Sequence, residues 1–139
     1  MNSKKIIFGF SIFTAVGIIA YWTLVFAGLF PVEDIIPGYK NWFMSFPAAD
    51  FWIAVNAILL AVFIKKGDEG KSAIFGLMAA SGMIFLGLYA LVYGINTGLL
   101  FKLTADELIE IVIKIYCLSV GAYFIKHFAK LLNRIPSKA

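Results

Sequence analysis

The sequence predicts an all-α integral membrane protein, a single four-helix bundle over residues 1–139, on three observations. Hydrophobic residues make up 62% of the chain and charged residues only 14%, against about 45–50% and about 25% in soluble domains. The charges fall in short clusters between long apolar stretches. Those stretches are close to or above the roughly 20 residues that a helix needs to cross a hydrocarbon core of about 30 Å.

The first stretch, residues 6–30, runs for 25 residues without a charge and follows Lys4 and Lys5. It exceeds the apolar region of about 7–15 residues in a secretory signal, so it reads as a retained first helix. The second helix is expected over residues 47–64, with Asp50 near its start. The third, residues 72–98, belongs to an uncharged run that continues to Phe101. One helix through the whole run would measure about 45 Å at about 1.5 Å per residue, so an exit is expected at Gly94-Ile-Asn-Thr-Gly98. The fourth is expected over residues 105–128, opened by Thr104 with Glu107 three residues on, the spacing of a capping box. Backbone groups in lipid must be bonded within the chain, which requires helices here. No segment of about ten residues alternates in polarity as a membrane strand does.

The connections are short except for residues 31–46. Tyr39, Trp42, Phe43 and Phe46 in that loop are aromatic residues of the kind found at a membrane–water boundary. The loop is expected to lie along the surface. Lysine and arginine set the orientation. Of twelve, nine fall at the N-terminus, the 65–71 turn and the C-terminal tail, which share one side. Lys40 and Lys102 lie on the other, and Lys114 is within the fourth helix. The excess of positive charge places both termini in the cytoplasm, as a multi-pass protein of the cell membrane.

Helices two and four then run in the same direction, so Asp50 and Glu110 fall at similar depths beneath the outer boundary. Lys114 is one turn deeper than Glu110. A charge near mid-membrane costs roughly 2.5–3.5 kcal/mol on insertion scales, so it faces the bundle and a partner. Glu110 and Lys114 stand at i and i+4 with the acid first, the favourable order. Asp106 continues the same stripe. Tyr89 and Tyr93 on the third helix, and Trp52 on the second, are the candidate walls of a polar cavity opening outward. The same pair also fits a second reading, in which Glu110 and Lys114 neutralise each other and reach toward the headgroups. Lys126, Lys130, Arg134 and Lys138 are expected to meet anionic lipid headgroups.

Several functions are disfavoured. Cys117 is the only cysteine and His127 the only histidine, which leaves no disulfide and no cysteine or histidine metal set. His127 is expected opposite the carboxylates, so no catalytic triad is expected. No phosphate-binding loop occurs. No catalytic residue, metal or cofactor is assigned. The net charge of +4 follows membrane topology, so no nucleic-acid partner is expected.

Trp42-Phe-Met-Ser-Phe46, with Asp50 following, resembles the segment entering helix two in the EXPERA family of four-helix membrane proteins, which includes sterol isomerases and the sigma-2 receptor. The resemblance implies that Asp50 contacts a cationic or sterol-like ligand, with Glu33 or Asp34 as its acidic counterpart.

The expected function is non-enzymatic binding of a small amphipathic or cationic ligand by Asp50, Glu110 and Lys114 between Trp52, Tyr89 and Tyr93. A structural subunit of a membrane complex or homo-oligomer is the second expectation. A proton-coupled transporter or membrane enzyme using Asp50 and Glu110 is the third.

Overall fold

The computed structural model describes residues 3–102 and 104–134, with the side chains of residues 105 and 106 outside that description. The expectations for Asp106 and Lys138 therefore fall outside it. Helix α1 spans Ser3–Phe26, a short α2 spans Tyr39–Phe43, α3 spans Phe46–Lys66, α4 spans Glu69–Asn96 and α5 spans Ala105–Leu132. A 3-10 turn, Leu99–Phe101, follows α4. The protein is all-α, and its four long helices are long and apolar enough to cross a membrane.

Helices α1, α3 and α4 each end within two residues of a glycine in the left-handed region. Helix α1 closes four residues earlier than expected, because Gly28 turns with φ 74° and the Leu29 amide donates to the Leu24 carbonyl at 3.0 Å. That left-handed cap favours glycine, which has no Cβ to collide with the carbonyl. Gly67 ends α3 in the same way, with the Asp68 amide donating to the Phe63 carbonyl at 3.1 Å. Helix α4 stops at Asn96, inside the anticipated glycine pair. Hydroxyls that would otherwise lie unbonded in lipid return to their own helix: Ser11 donates to the Ile7 carbonyl and Thr23 to the Ile19 carbonyl, each at 2.6 Å. This satisfies the donors without water.

Asp68 caps α4, its carboxylate accepting the Lys71 amide at 2.9 Å. That hydrogen bond, helped by the Lys71 ammonium, holds the carboxyl below the usual range. The cap is therefore complete above the ordinary aspartate value and is lost as pH falls through the depressed one. An NMR titration of the Lys71 amide is expected to show a midpoint below 3.8, the ordinary value. A midpoint at or above it would show that the cap contributes nothing.

Helix α4 packs between α3 and α5, while α1 lies on α3. For helices that cross a membrane the hydrophobic drive between them vanishes, and close approach and interhelical hydrogen bonds must then hold the bundle. Small residues supply the first: Ala73, Gly76, Ala80 and Gly87 on α4 and Gly121 on α5 are buried. Phe124 and Phe128 fill the space they leave, at 0% and 1% exposure. Between α1 and α5, the hydroxyls of Thr14 and Tyr116 share a hydrogen bond of 2.8 Å. Phe13, Phe51, Phe85 and Val112 point outward and are largely exposed, as a face meeting lipid tails allows. The two ends of the bundle differ. The start of α1, the α3–α4 turn and the end of α5 meet at one end, where Lys4 pairs with Glu69 at 2.7 Å. Asp50, Glu110 and the segment carrying α2 gather at the other.

Candidate functional site

The site is built from α5 upward. Glu107, Glu110 and Lys114 occupy one stripe of this helix. Lys114 is 5% exposed and extends toward the N-terminal end of α5, the direction in which helical side chains lean. Its Nζ lies 2.9 Å from Glu107 Oε1 and 3.1 Å from Glu110 Oε2. Gly94 on α4 leaves room beside the ammonium, which would stand 3.8 Å from a Cβ placed there. Two carboxylates therefore hold one ammonium, and the group carries one formal negative charge. Glu110 has a third partner, because the Tyr39 hydroxyl donates to its Oε1.

Tyr39 belongs to α2, inside the segment expected to lie along the surface. Most of that segment is exposed, but its aromatic end turns inward: Tyr39 is 7% exposed, and the Trp42 ring stacks on Tyr93 with centroids 3.7 Å apart. The ring bodies supply apolar area while the Tyr39 hydroxyl finds an acceptor inside. Trp42 Nε1 is buried without a hydrogen-bond partner. Asp50 enters from the first turns of α3, where its Oδ2 accepts the Trp22 indole N–H of α1 at 2.8 Å. Among the described residues no lysine or arginine pairs with Asp50.

Asp50, Glu110 and Lys114 line one cavity of about 90 Å³, walled by the rings of Tyr21, Trp22, Trp42, Phe43 and Phe46 with Cys117 at its floor. It has room for several waters or one small polar head. A wider vestibule of about 300 Å³ shares Tyr21, Phe43 and Glu110 with it and carries Glu33.

The structure thus brings together three of the six ligand-binding residues read from the sequence. Tyr93 and Tyr89 form the layer behind Trp42, with Tyr89 also stacked on Phe85. Trp52, two positions beyond Asp50, projects from another face of α3, is 53% exposed, and lines a shallow groove with Gly82 and Phe85. Lys126, Lys130 and Arg134 are exposed at the opposite end. Asp34, an acidic counterpart implied by the resemblance, accepts the Lys40 amide at 3.0 Å and does not line the cavity. Trp22 takes that place beside Asp50.

Three partners were not anticipated: Tyr39, Trp42 as a wall, and Glu107 as an ion-pair partner. Glu107 had been assigned to the cap, and its amide does donate to Thr104 Oγ1 at 3.3 Å. Its carboxylate, however, goes to Lys114. The spacing of seven between them, two helical turns, is the signal that reveals the pair. Protein-family models, curated proteins and solved structures contain no match to the chain, so the likeness to the EXPERA segment rests on residues 42–46 and Asp50 alone.

Proposed function

We propose that this chain is a non-enzymatic, multi-pass protein of the cell membrane that binds a small amphipathic molecule by its cationic head. The excess of basic residues at the end opposite the site supports a cytoplasmic position for both termini. The site then opens outward, and the vestibule beside Glu33 is the way in.

One observation carries the reading: Asp50 faces an aromatic-walled cavity without a cation of its own. A carboxylate withdrawn from water is costly unless paired. Lys114 cannot serve it, being held by Glu107 and Glu110. A cation arriving beside Asp50 favours its ionised form, and the cavity walls and the attached triad then carry two formal negative charges. A small cation entering the cavity meets a carboxylate and the faces of several rings, the combination that recognises alkylammonium groups. A neutral or anionic head finds no such complement.

Butyltrimethylammonium and its neutral carbon isostere test the proposal, with the fluorescence of Trp22 and Trp42 as the reporter. The cation is expected to bind with a preference over the isostere, and Asp50→Asn should weaken it by about tenfold or more, the value of a charge-assisted contact. Equal binding of both compounds, or an affinity indifferent to Asp50→Asn, would remove the basis for this function.

A further inference from the structure

A second cavity of about 220 Å³ lies at the opposite end of the bundle, between the first turn of α1, the α3–α4 turn and the last turns of α5. Its floor is apolar: Ile7 and Phe128 are each 1% exposed, and Leu131 adjoins them. Its rim carries Lys4, His127 and Arg134, with Glu69 as the one acid. His127 and Leu131 are four apart on one face of α5, and Arg134 lies two residues beyond its end, where its amide donates to the Leu131 carbonyl at 3.0 Å. Lys126 and Lys130 stand on another face and do not line the cavity. Lys5, Lys65, Lys66 and Lys71 surround this end.

We infer that this cavity is a binding site for a phosphate-bearing amphiphile, its phosphate held by Arg134, His127 and Lys4 and its apolar portion laid on Ile7, Phe128 and Leu131. The arrangement couples a basic rim to an apolar floor, which suits neither a bare metal cation nor a neutral solute. Arginine is the residue best shaped for the phosphate, since its planar fork makes two parallel hydrogen bonds. The surrounding lysines raise the local concentration of anions without selecting among them. Glu69 sets the affinity. It holds Lys4 at 2.7 Å, and an arriving phosphate must compete with it for that ammonium. The general headgroup contact expected at Lys126, Lys130 and Arg134 thereby divides into one residue at a built site and two on the open surface.

Native mass spectrometry of the full chain with phosphatidylglycerol and phosphatidylcholine tests this, using two variants that remove the same charge. Arg134→Gln is expected to lower retention of phosphatidylglycerol by more than about tenfold, the loss of a charged hydrogen bond. Lys130→Gln should lower it by no more than about fivefold, the worth of one basic residue near an anionic surface. Glu69→Gln should raise retention severalfold by removing the carboxylate that competes with the phosphate for Lys4. Equal losses in Arg134→Gln and Lys130→Gln, or equal retention of the two lipids by the unaltered protein, would overturn the site in favour of diffuse attraction. Inorganic phosphate distinguishes the source of the anion. Phosphatidylglycerol that resists displacement by it supports the site with a lipid headgroup as ligand. Binding of inorganic phosphate alone, with the same dependence on Arg134, would overturn the amphiphile and leave a site for a free phosphate compound.

Discussion

Replacing Lys114 with methionine is expected to destabilise the folded protein by about 3–5 kcal/mol, the cost of removing one partner from a buried ion pair. The ammonium contacts Glu107 at 2.9 Å and Glu110 at 3.1 Å. Without it the two carboxylates face each other across the space it occupied, in surroundings that screen charge poorly. Methionine approximates the lysine stem in length, so the packing of the stem is largely kept and the loss is electrostatic. The triple variant Lys114→Met, Glu107→Gln, Glu110→Gln removes all three charges together and should recover most of the lost stability. Thermal unfolding in detergent, followed by circular dichroism, reads both steps. A single variant as stable as the parent would mean that the stripe is neutralised from outside the chain, as in the subunit reading. A triple variant no better than the single one would place the cost in packing.

Gly76→Ala should destabilise by about 3 kcal/mol, the upper part of the range for overpacking. A Cβ at residue 76 would lie 2.1 Å from Cε2 of Phe128 and 2.5 Å from two further ring carbons. The ring is 1% exposed and set edge-on to Phe124 with centroids 6.0 Å apart, so it can yield only toward the cavity it shares with Ile7 and Leu131. Either α4 and α5 separate or both phenylalanines shift. Phe128→Leu should be less harmful in the Gly76→Ala background than alone, a coupling that a double-mutant cycle measures. Gly9→Ala is the control, because nothing lies within 4 Å of the added carbon. In that open helical position alanine is expected to be neutral or stabilising. Independence of the two sites in the cycle would refute the contact.

Much of the architecture was legible because membrane helices announce themselves by length and lack of charge, and because glycine, proline and charge clusters punctuate them. The matched depth of Asp50 and Glu110 followed from two short turns and a count of residues. The facing of individual side chains was not legible, for a physical reason. In a soluble helix polarity marks the outward side, but here the lipid face and the packed face are both apolar. Trp52 could thus be placed on α3 but not on a side of it, and the structure turns it away from Asp50. Tyr89 and Tyr93, four apart, do share a face, yet α2 comes between them and the cavity. That intrusion was hidden because an aromatic loop at a membrane boundary and an aromatic loop tucked into a bundle have the same composition. What separates them is the acceptor that Tyr39 finds on Glu110, a long-range pairing that local sequence does not encode. Glu107 was misjudged differently: one residue serves the cap with its amide and the ion pair with its carboxylate, and the nearer role obscured the other.

The most direct measurement is native mass spectrometry of the protein taken gently from its own membrane, beside its Asp50→Asn variant. The expected result is a monomer carrying one small positively charged adduct, which the variant loses while keeping its helical content. Adduct-free protein found only as a defined oligomer or with a second chain, or an adduct retained unchanged by the variant, would contradict the cationic site at Asp50.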